Sequence, residues 1–104
     1  MKEYNIEFSN EARKDLIDIF RYIKINLQET NIAEKLLKKI KKSIYGLSKS
    51  PYIYAIIDDE YTKILQLRKI TVNNYIIFFK IIDKENKVLI VRILYGRRNW
   101  LNLL

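Results

Sequence analysis

The chain has 104 residues, a formal net charge of +8 and 49% hydrophobic residues, which predicts one folded domain over residues 1–104 with a basic surface. It contains neither cysteine nor histidine, which excludes disulfide bonds, Ser-His or Cys-His nucleophile pairs and ordinary zinc sites. The charge favours a polyanionic or acidic partner, either nucleic acid or an acidic protein segment.

No apolar run approaches the length of a membrane span, and the lack of cysteine fits a cytoplasmic protein. The acidic run Asp58-Asp59-Glu60 is interpreted as a solvated loop, because adjacent carboxylates rarely aim at one ion. We therefore expect no membrane contact, no bound metal and no cofactor.

The first part of the chain predicts a short strand and a helix. Tyr4–Phe8 alternates polar and apolar residues as an edge strand does. Ser9 can cap a helix from about Asn10 to Leu27, with Glu11 in its first turn. The predicted apolar stripe of this helix is Ala12, Leu16, Ile19, Phe20, Ile23 and Leu27.

A second helix follows after a short link, so the two should form an antiparallel hairpin. It begins at Thr30 or Asn31, where Asn31 and Glu34 have the spacing of a capping box, and Ser50-Pro51 ends it. Its lysines fall mostly on the outer face. The predicted buried face is Ala33, Leu36, Leu37, Ile40, Ile44 and Leu47.

The second half of the chain predicts three strands. Tyr52–Lys63 has no clean period and is interpreted as a loop with a short extended piece. The predicted strands, joined by polar turns, are Ile64–Val72, Tyr75–Ile82 and Lys87–Tyr95. The order β-α-α-β-β-β predicts an α+β fold, with the helical hairpin packed on one face of an antiparallel sheet.

The end of the last strand is the candidate functional surface. This strand is apolar almost throughout, as in a strand covered on both faces, and Gly96 follows it directly. A side chain at Gly96 would obstruct the turn that delivers the basic residues. The predicted target-binding residues are Tyr95, Arg97, Arg98 and Trp100. The alternative is a solvated turn, with Trp100 closing the core.

Two arginines interrupt otherwise apolar strands. Arg68 and Arg92 each need a carboxylate or carbonyl partner if they are buried among aliphatic residues. We expect at least one of them to be structural and to pair with Glu7 or Asp15. Arg68, Arg92, Gly96 and Tyr75 are thus assigned structural or site-supporting roles.

Three segments carry a family resemblance: Leu67-Arg68, Asn74 to Phe79, and Val91 to Trp100. Together with the order of elements they resemble the RelE/ParE toxins of bacterial type II toxin–antitoxin systems, over essentially the whole chain. The most specific part is a strand that ends in an aromatic residue, followed by Gly-Arg-Arg-Asn. The resemblance implies growth inhibition, plasmid stabilisation and neutralisation by an antitoxin with an acidic-apolar C-terminal segment.

The family contains two branches with different targets, and the ParE-like branch, which poisons DNA gyrase, is favoured. Ile76 after Tyr75, the Gly-Arg-Arg ending and the short tail to Leu104 resemble that branch. RelE-like members are ribosome-dependent, metal-independent endoribonucleases that cut messenger RNA. Lys69 and Arg98 match two of their catalytic positions, but an arginine after the tyrosine and a downstream tyrosine are missing. A third interpretation is a basic binding domain without toxicity.

Overall fold

The computed structural model describes residues 3–26, 28, 30–96 and 100–104, except for the side chain of Trp100. Its helices and strands follow the order β-α-α-α-β-β-β. They are β1 (Asn5–Phe8), α1 (Asn10–Arg21), α2 (Thr30–Gly46), α3 (Glu60–Ile64), β2 (Arg68–Val72), β3 (Tyr75–Ile82) and β4 (Lys87–Tyr95). None of the helices in this described part is long and apolar enough to cross a membrane.

The first helix begins as the sequence predicts. The Ser9 side chain accepts a hydrogen bond from the Ala12 amide at 2.9 Å, which satisfies one free donor of the first turn. The regular α-helix ends at Arg21, and one π-helical turn, Tyr22–Asn26, follows it directly. The chain reverses near Gln28, which has a left-handed backbone with φ of 54°.

The second helix begins at Thr30, one of the two predicted starts, but it ends earlier than predicted. Asn31 and Glu34 lie inside it, so the predicted capping box is wrong because a cap residue needs a non-helical backbone. It ends at Gly46, well before Pro51. The carbonyl of Ser48 instead accepts a hydrogen bond from the Tyr4 amide at 2.8 Å, which joins this turn to the start of β1.

The four strands form one sheet in the order β1-β4-β3-β2. The pairs β2–β3 and β3–β4 are antiparallel, as predicted from their short connections. β1 lies at an edge but runs parallel to β4, so the prediction of a wholly antiparallel sheet was wrong. No hairpin joins β1 to its partner, and alternation alone does not determine the direction of a strand.

The segment before β2 also departs from the prediction. Glu60–Ile64 is a short helix whose N-cap, Asp59, accepts hydrogen bonds from two backbone amides at 3.1 and 3.2 Å. Gln66 then takes a left-handed conformation with φ of 55°, and the strand begins only at Arg68. The predicted strand start at Ile64 was wrong because a helix cap, not the apolar pattern, decides the structure there.

Both faces of the sheet are covered, as the apolar run of β4 predicts. On one face, Ile77, Phe79 and Ile93 pack under the helical hairpin, against residues such as Ile40 and Ile44. A second, smaller core covers the other face. It consists of Ile57, Leu67, Ile76, Phe78 and Leu94, with Leu65, Val91, Leu103 and Leu104 packed against it.

One ion pair closes the open edge of β4. β1 pairs with β4 only as far as Ile90, and Val91 is skipped in the pairing with β3. The carboxylate of Asp15 on α1 accepts a hydrogen bond from the Ile93 amide at 2.9 Å, and Arg92 donates to both of its oxygens at 2.8 Å. Arg92 also donates to the Leu103 carbonyl at 2.9 Å. The expected partner of Arg92 is therefore present.

We predict that Asp15→Asn lowers the free energy of unfolding by about 2 kcal/mol, because it leaves a largely buried guanidinium without its counter-ion. The side chains of Arg92 and Asp15 are only 20% and 12% exposed. The measurement is urea unfolding followed by circular dichroism. As a matched control, Asp58→Asn breaks a solvent-exposed pair with Lys63 and should cost less than about 0.5 kcal/mol. Equal losses in the two variants would contradict the prediction.

Candidate functional site

The end of β4 is held to the turn between β2 and β3. The Gly96 amide donates a hydrogen bond to the Asn74 carbonyl at 2.7 Å. A Cβ at Gly96 would lie 3.2 Å from that carbonyl oxygen and 3.5 Å from the Ile76 side chain. The φ of Gly96 is not positive, so glycine fits here because of the close approach rather than an unusual backbone.

Two tyrosines meet at the same corner. Tyr75 begins β3 and pairs with Tyr95 at the end of β4, and their ring centroids are 5.6 Å apart in an edge-to-face contact. Arg97 and Arg98 follow Gly96 directly in the sequence but lie outside the described residues. Trp100 begins a short turn, Trp100–Asn102. The structure thus brings together Tyr75, Tyr95 and Gly96 among the expected site residues.

A cleft of about 670 Å³ opens beside this corner, between α1 and the ends of β3 and β4. We call it the tyrosine cleft. It is lined by Asp15, Asp18, Ile19, Tyr22, Ile23, Ile32, Asn74, Tyr75, Ile93 and Tyr95. Although the chain has 20 lysines and arginines, none is among the described residues that line this cleft. Within the described part of the chain, the charged groups that line it are the carboxylates of Asp15 and Asp18.

Tyr75 remains a neutral phenol in this setting. Burial raises the pKa of Tyr75, and the neighbouring phenols of Tyr95 and Tyr22 raise it further. A phenol with a raised pKa keeps its proton at neutral pH, so it has no free base form to accept another proton. Tyr75 can therefore stack or share a hydrogen bond, but its environment does not prepare it to act as a general base.

This raised pKa predicts a pH dependence. The folded pKa of Tyr75 lies above the unfolded value of about 10, so its stabilising contribution is complete below that pH and is lost as the pH rises through the folded pKa. We expect Tyr75→Phe to reduce the alkaline loss of stability. Tyr52, whose pKa is raised by its hydrogen bond to Asp83, should account for part of the remainder.

The measurement is thermal unfolding at a series of pH values from neutral to strongly alkaline. Tyr45→Phe is the control, because it removes an exposed phenol and should leave the alkaline loss of stability in place. If both variants follow the wild-type pH profile, the assignment to Tyr75 is wrong.

The remaining expected site residues lie on β2. Arg68 donates to the Tyr54 carbonyl, and its guanidinium lies 5.0 Å from the centre of the Tyr52 ring. These contacts hold the loop after α2 against the edge of the sheet. Arg68 thus makes structural contacts of the kind that the sequence predicts for an arginine within an apolar strand.

Lys69 lies on the face of the sheet opposite to the tyrosines. It pairs with Phe78, and residues directly opposite each other on neighbouring strands share a face. Phe78 belongs to the second core, whereas Tyr75 packs against the core under the helices. Lys69 instead borders a hollow of about 680 Å³ that Asp58 and Asp59 also line. Within the described ranges, no group of three or more carboxylates is placed to hold a metal ion.

A second surface, which the sequence did not predict, is a groove of about 410 Å³ between α1 and α2. We call it the hairpin groove. It combines apolar residues with three basic ones and is lined by Leu16, Ile17, Phe20, Arg21, Lys24, Ile25, Leu37 and Lys41. Ile17 and Ile25 are 56% and 60% exposed. Their spacing of eight residues could have indicated a second apolar stripe on the helix.

Asp18 and Tyr22 were also missed. They lie four residues apart, and Asp15 precedes Asp18 by three, so all three share one side of the first helix. The sequence contains this spacing, but it does not show that the side faces Tyr75 and Tyr95.

Comparison with known proteins identifies the family. The sequence profile described as "ParE toxin of type II toxin-antitoxin system, parDE" matches residues 6–100. The chain belongs to the ParE toxin family. The match confirms the resemblance to RelE/ParE toxins and agrees with the ParE-like branch. No curated protein shows a significant sequence match.

Solved structures of ParE and RelE systems share the fold. The chromosomal ParDE system of P. aeruginosa matches with a TM-score of 0.71 and 18% identity, over 89% of this chain and 96% of that one. A RelBE toxin–antitoxin complex of Mycobacterium tuberculosis gives 0.67 and 20%, over 91% and 93%. A two-arginine variant of E. coli RelE in the free state gives 0.66 and 14%, over 97% and 92%. These matches confirm the fold of helices on a four-stranded sheet.

Proposed function

We propose that this ParE-family toxin inhibits growth by poisoning DNA gyrase and is neutralised by a cognate antitoxin. The observation that carries the proposal is the family match over residues 6–100, which includes the Gly-Arg-Arg ending. The target surface is the corner at the end of β4, with Tyr95, Arg97, Arg98 and Trp100. Arginine suits this role because its planar fork binds carboxylate or phosphate through two parallel hydrogen bonds.

The surroundings of Tyr75 support the ParE-like branch. The position after Tyr75, where RelE-like enzymes carry an arginine, is occupied by Ile76, which is buried in the second core. Tyr95 lies on the opposite face of the sheet from Lys69. Metal-independent RNA cleavage needs a base, an acid and cations that converge on one phosphate. A target surface that binds protein needs no such convergence.

We predict that Arg97→Ala and Arg98→Ala each weaken inhibition of purified gyrase by about thirtyfold, as expected for arginines at the centre of an interface. Growth arrest on induction in a heterologous bacterium should weaken in parallel, with a DNA damage response in the wild type. Arg13→Ala is the control, because it removes one exposed positive charge from α1, away from the end of β4.

The outcomes separate the candidate functions. Variants with normal melting temperatures and lost toxicity support the proposed surface. If both remain fully toxic, the basic end is a solvated turn and the site lies elsewhere. Cleaved messenger RNA and loss of translation, without a DNA damage response, would instead assign the RelE-like activity, with Lys69 and Arg98 as its catalytic residues.

The hairpin groove is the proposed binding surface for the antitoxin. Its apolar floor and its basic residues Arg21, Lys24 and Lys41 match a segment that alternates apolar and acidic residues. Lys24 lies 5.7 Å from the centre of the Phe20 ring, so the positive charge borders the apolar surface directly. A segment that folds on binding can cover such a groove and neutralise part of the +8 charge.

We predict that Ile17→Glu raises the dissociation constant of the cognate antitoxin by about tenfold, because it replaces an apolar contact with a negative charge that repels an acidic segment and neutralises the basic residues of the groove. Ile53→Glu is the matched control, since Ile53 is 72% exposed and lies outside the groove. The association rate should also fall as the salt concentration rises. Equal effects of the two variants, or a rate insensitive to salt, would contradict this surface.

A further inference from the structure

The described lining of the tyrosine cleft is acidic, whereas the molecule as a whole is basic. The chain carries a net charge of +8, yet among the described residues the charged ones that line this cleft are Asp15 and Asp18. The two oxygens of Asp15 already accept hydrogen bonds from Arg92 and from the Ile93 amide. Asp18 forms no ion pair within the described part of the chain. Its exposed carboxylate is available to a cation that enters the cleft.

The other walls of the cleft are aromatic and apolar. Tyr75 and Tyr95 meet edge to face, and Tyr22 lies close enough to contribute to the raised pKa of Tyr75. Ile32 on α2 closes the far side and is 54% exposed. Rings of this kind attract a cation over their faces. A carboxylate at the rim supplies the directional hydrogen bonds that the rings lack.

We propose that the tyrosine cleft receives one arginine side chain of the bound antitoxin. A guanidinium group is planar and weakly hydrated, so it can stack on Tyr95 or Tyr22 while its fork binds the Asp18 carboxylate. The ammonium group of lysine is compact and strongly hydrated, and it would lose more hydration on entering a cleft with apolar walls. The proposal rests on the proposed neutralisation by an antitoxin.

The position of the cleft on α1 identifies the partner. Leu16, Ile17 and Phe20 of α1 line the hairpin groove, whereas Asp18 and Tyr22 of the same helix line the tyrosine cleft. A segment that lies in the groove and crosses α1 therefore reaches the cleft within a few residues. The antitoxin segment should thus be acidic and apolar over the groove, with a single arginine beyond α1. This charge pattern would fix the position of the antitoxin segment along the toxin surface.

The first experiment uses the free toxin and a small probe. N-acetyl-arginine amide is titrated into the isotope-labelled protein, and the ring signals of Tyr22, Tyr75 and Tyr95 are followed by NMR. N-acetyl-citrulline amide is the neutral probe of nearly the same shape. The arginine probe should bind about fivefold more tightly than the citrulline probe, as expected for a desolvated contact between a cation and aromatic rings. Equal binding of the two probes would overturn the proposal.

Variants test the residues of the cleft. Asp18→Asn should weaken binding of the arginine probe about fivefold. Glu34→Gln, which removes an exposed carboxylate from α2, should leave it unchanged. Equal effects of these two variants would show that the probe senses only net charge. Tighter binding after Arg97→Ala or Arg98→Ala would show that the chain's own arginine occupies the cleft, and it would overturn the assignment to the antitoxin.

The partner is tested separately. In the complex, replacing the antitoxin arginine that crosses α1 and replacing Asp18 should each weaken binding, and the double variant should lose no more than the larger single effect. Additive losses would overturn the pairing. Because the probe titration requires neither gyrase nor antitoxin, its result does not depend on whether growth arrest by the toxin is observed.

Discussion

The structure depends on how the open edge of β4 is closed. β1 stops at Phe8, opposite Ile90, so the second half of β4 has β3 on one side and no strand on the other. Ser9 and Asp15 replace that strand: Ser9 donates to the Val91 carbonyl at 2.7 Å, and Asp15 accepts from the Ile93 amide. Arg92 supplies the charge that makes a partly buried carboxylate tolerable there. Because the same arginine also binds the Leu103 carbonyl, one side chain joins α1, the central strand and the tail that covers the second core.

This closure determines where functional surfaces can form. It holds α1 against the end of β4, with one side of the helix turned toward Tyr75 and Tyr95 and the other toward α2. The two sides differ in charge: the groove with α2 contains three basic residues and the cleft with the tyrosines contains two acidic ones. Sites built on a rigid helix and paired strands retain their geometry better than sites on loops. A single helix thus separates two surfaces whose described lining residues carry opposite charges.

Much of the fold follows from periodicity, because long amphipathic segments leave few alternatives. The apolar stripe of the first helix as far as Ile23, most of the buried face of α2, the bounds of β3 and β4, and the covering of β4 on both faces were predicted from spacing and composition. Leu27 lies outside the described residues, and Leu37 is only half-buried and lines the hairpin groove. The pairing of Arg92 with a carboxylate followed from the cost of burying an unpaired charge. The sequence predictions failed in two places. Asp59 caps a short helix in a segment that was interpreted as loop and strand. β1 takes its parallel direction from contacts that are distant in sequence. The cleft was not predictable for the same reason, since Asp18 and Tyr75 are brought together only by the packing of α1 on the sheet.

The alternation of side chains along the strands also bears on the chemistry available at the end of β4. Tyr95 faces the helices and Lys69 faces the second core, so the two side chains lie on opposite faces of the sheet. Ile76, the residue after Tyr75, is a buried aliphatic residue rather than a cation. The tyrosine corner offers rings, a raised phenol pKa and a backbone held by the hydrogen bond between Gly96 and Asn74. Such a corner presents a fixed shape for recognition, and the carboxylates of Asp15 and Asp18 border it on the side of α1.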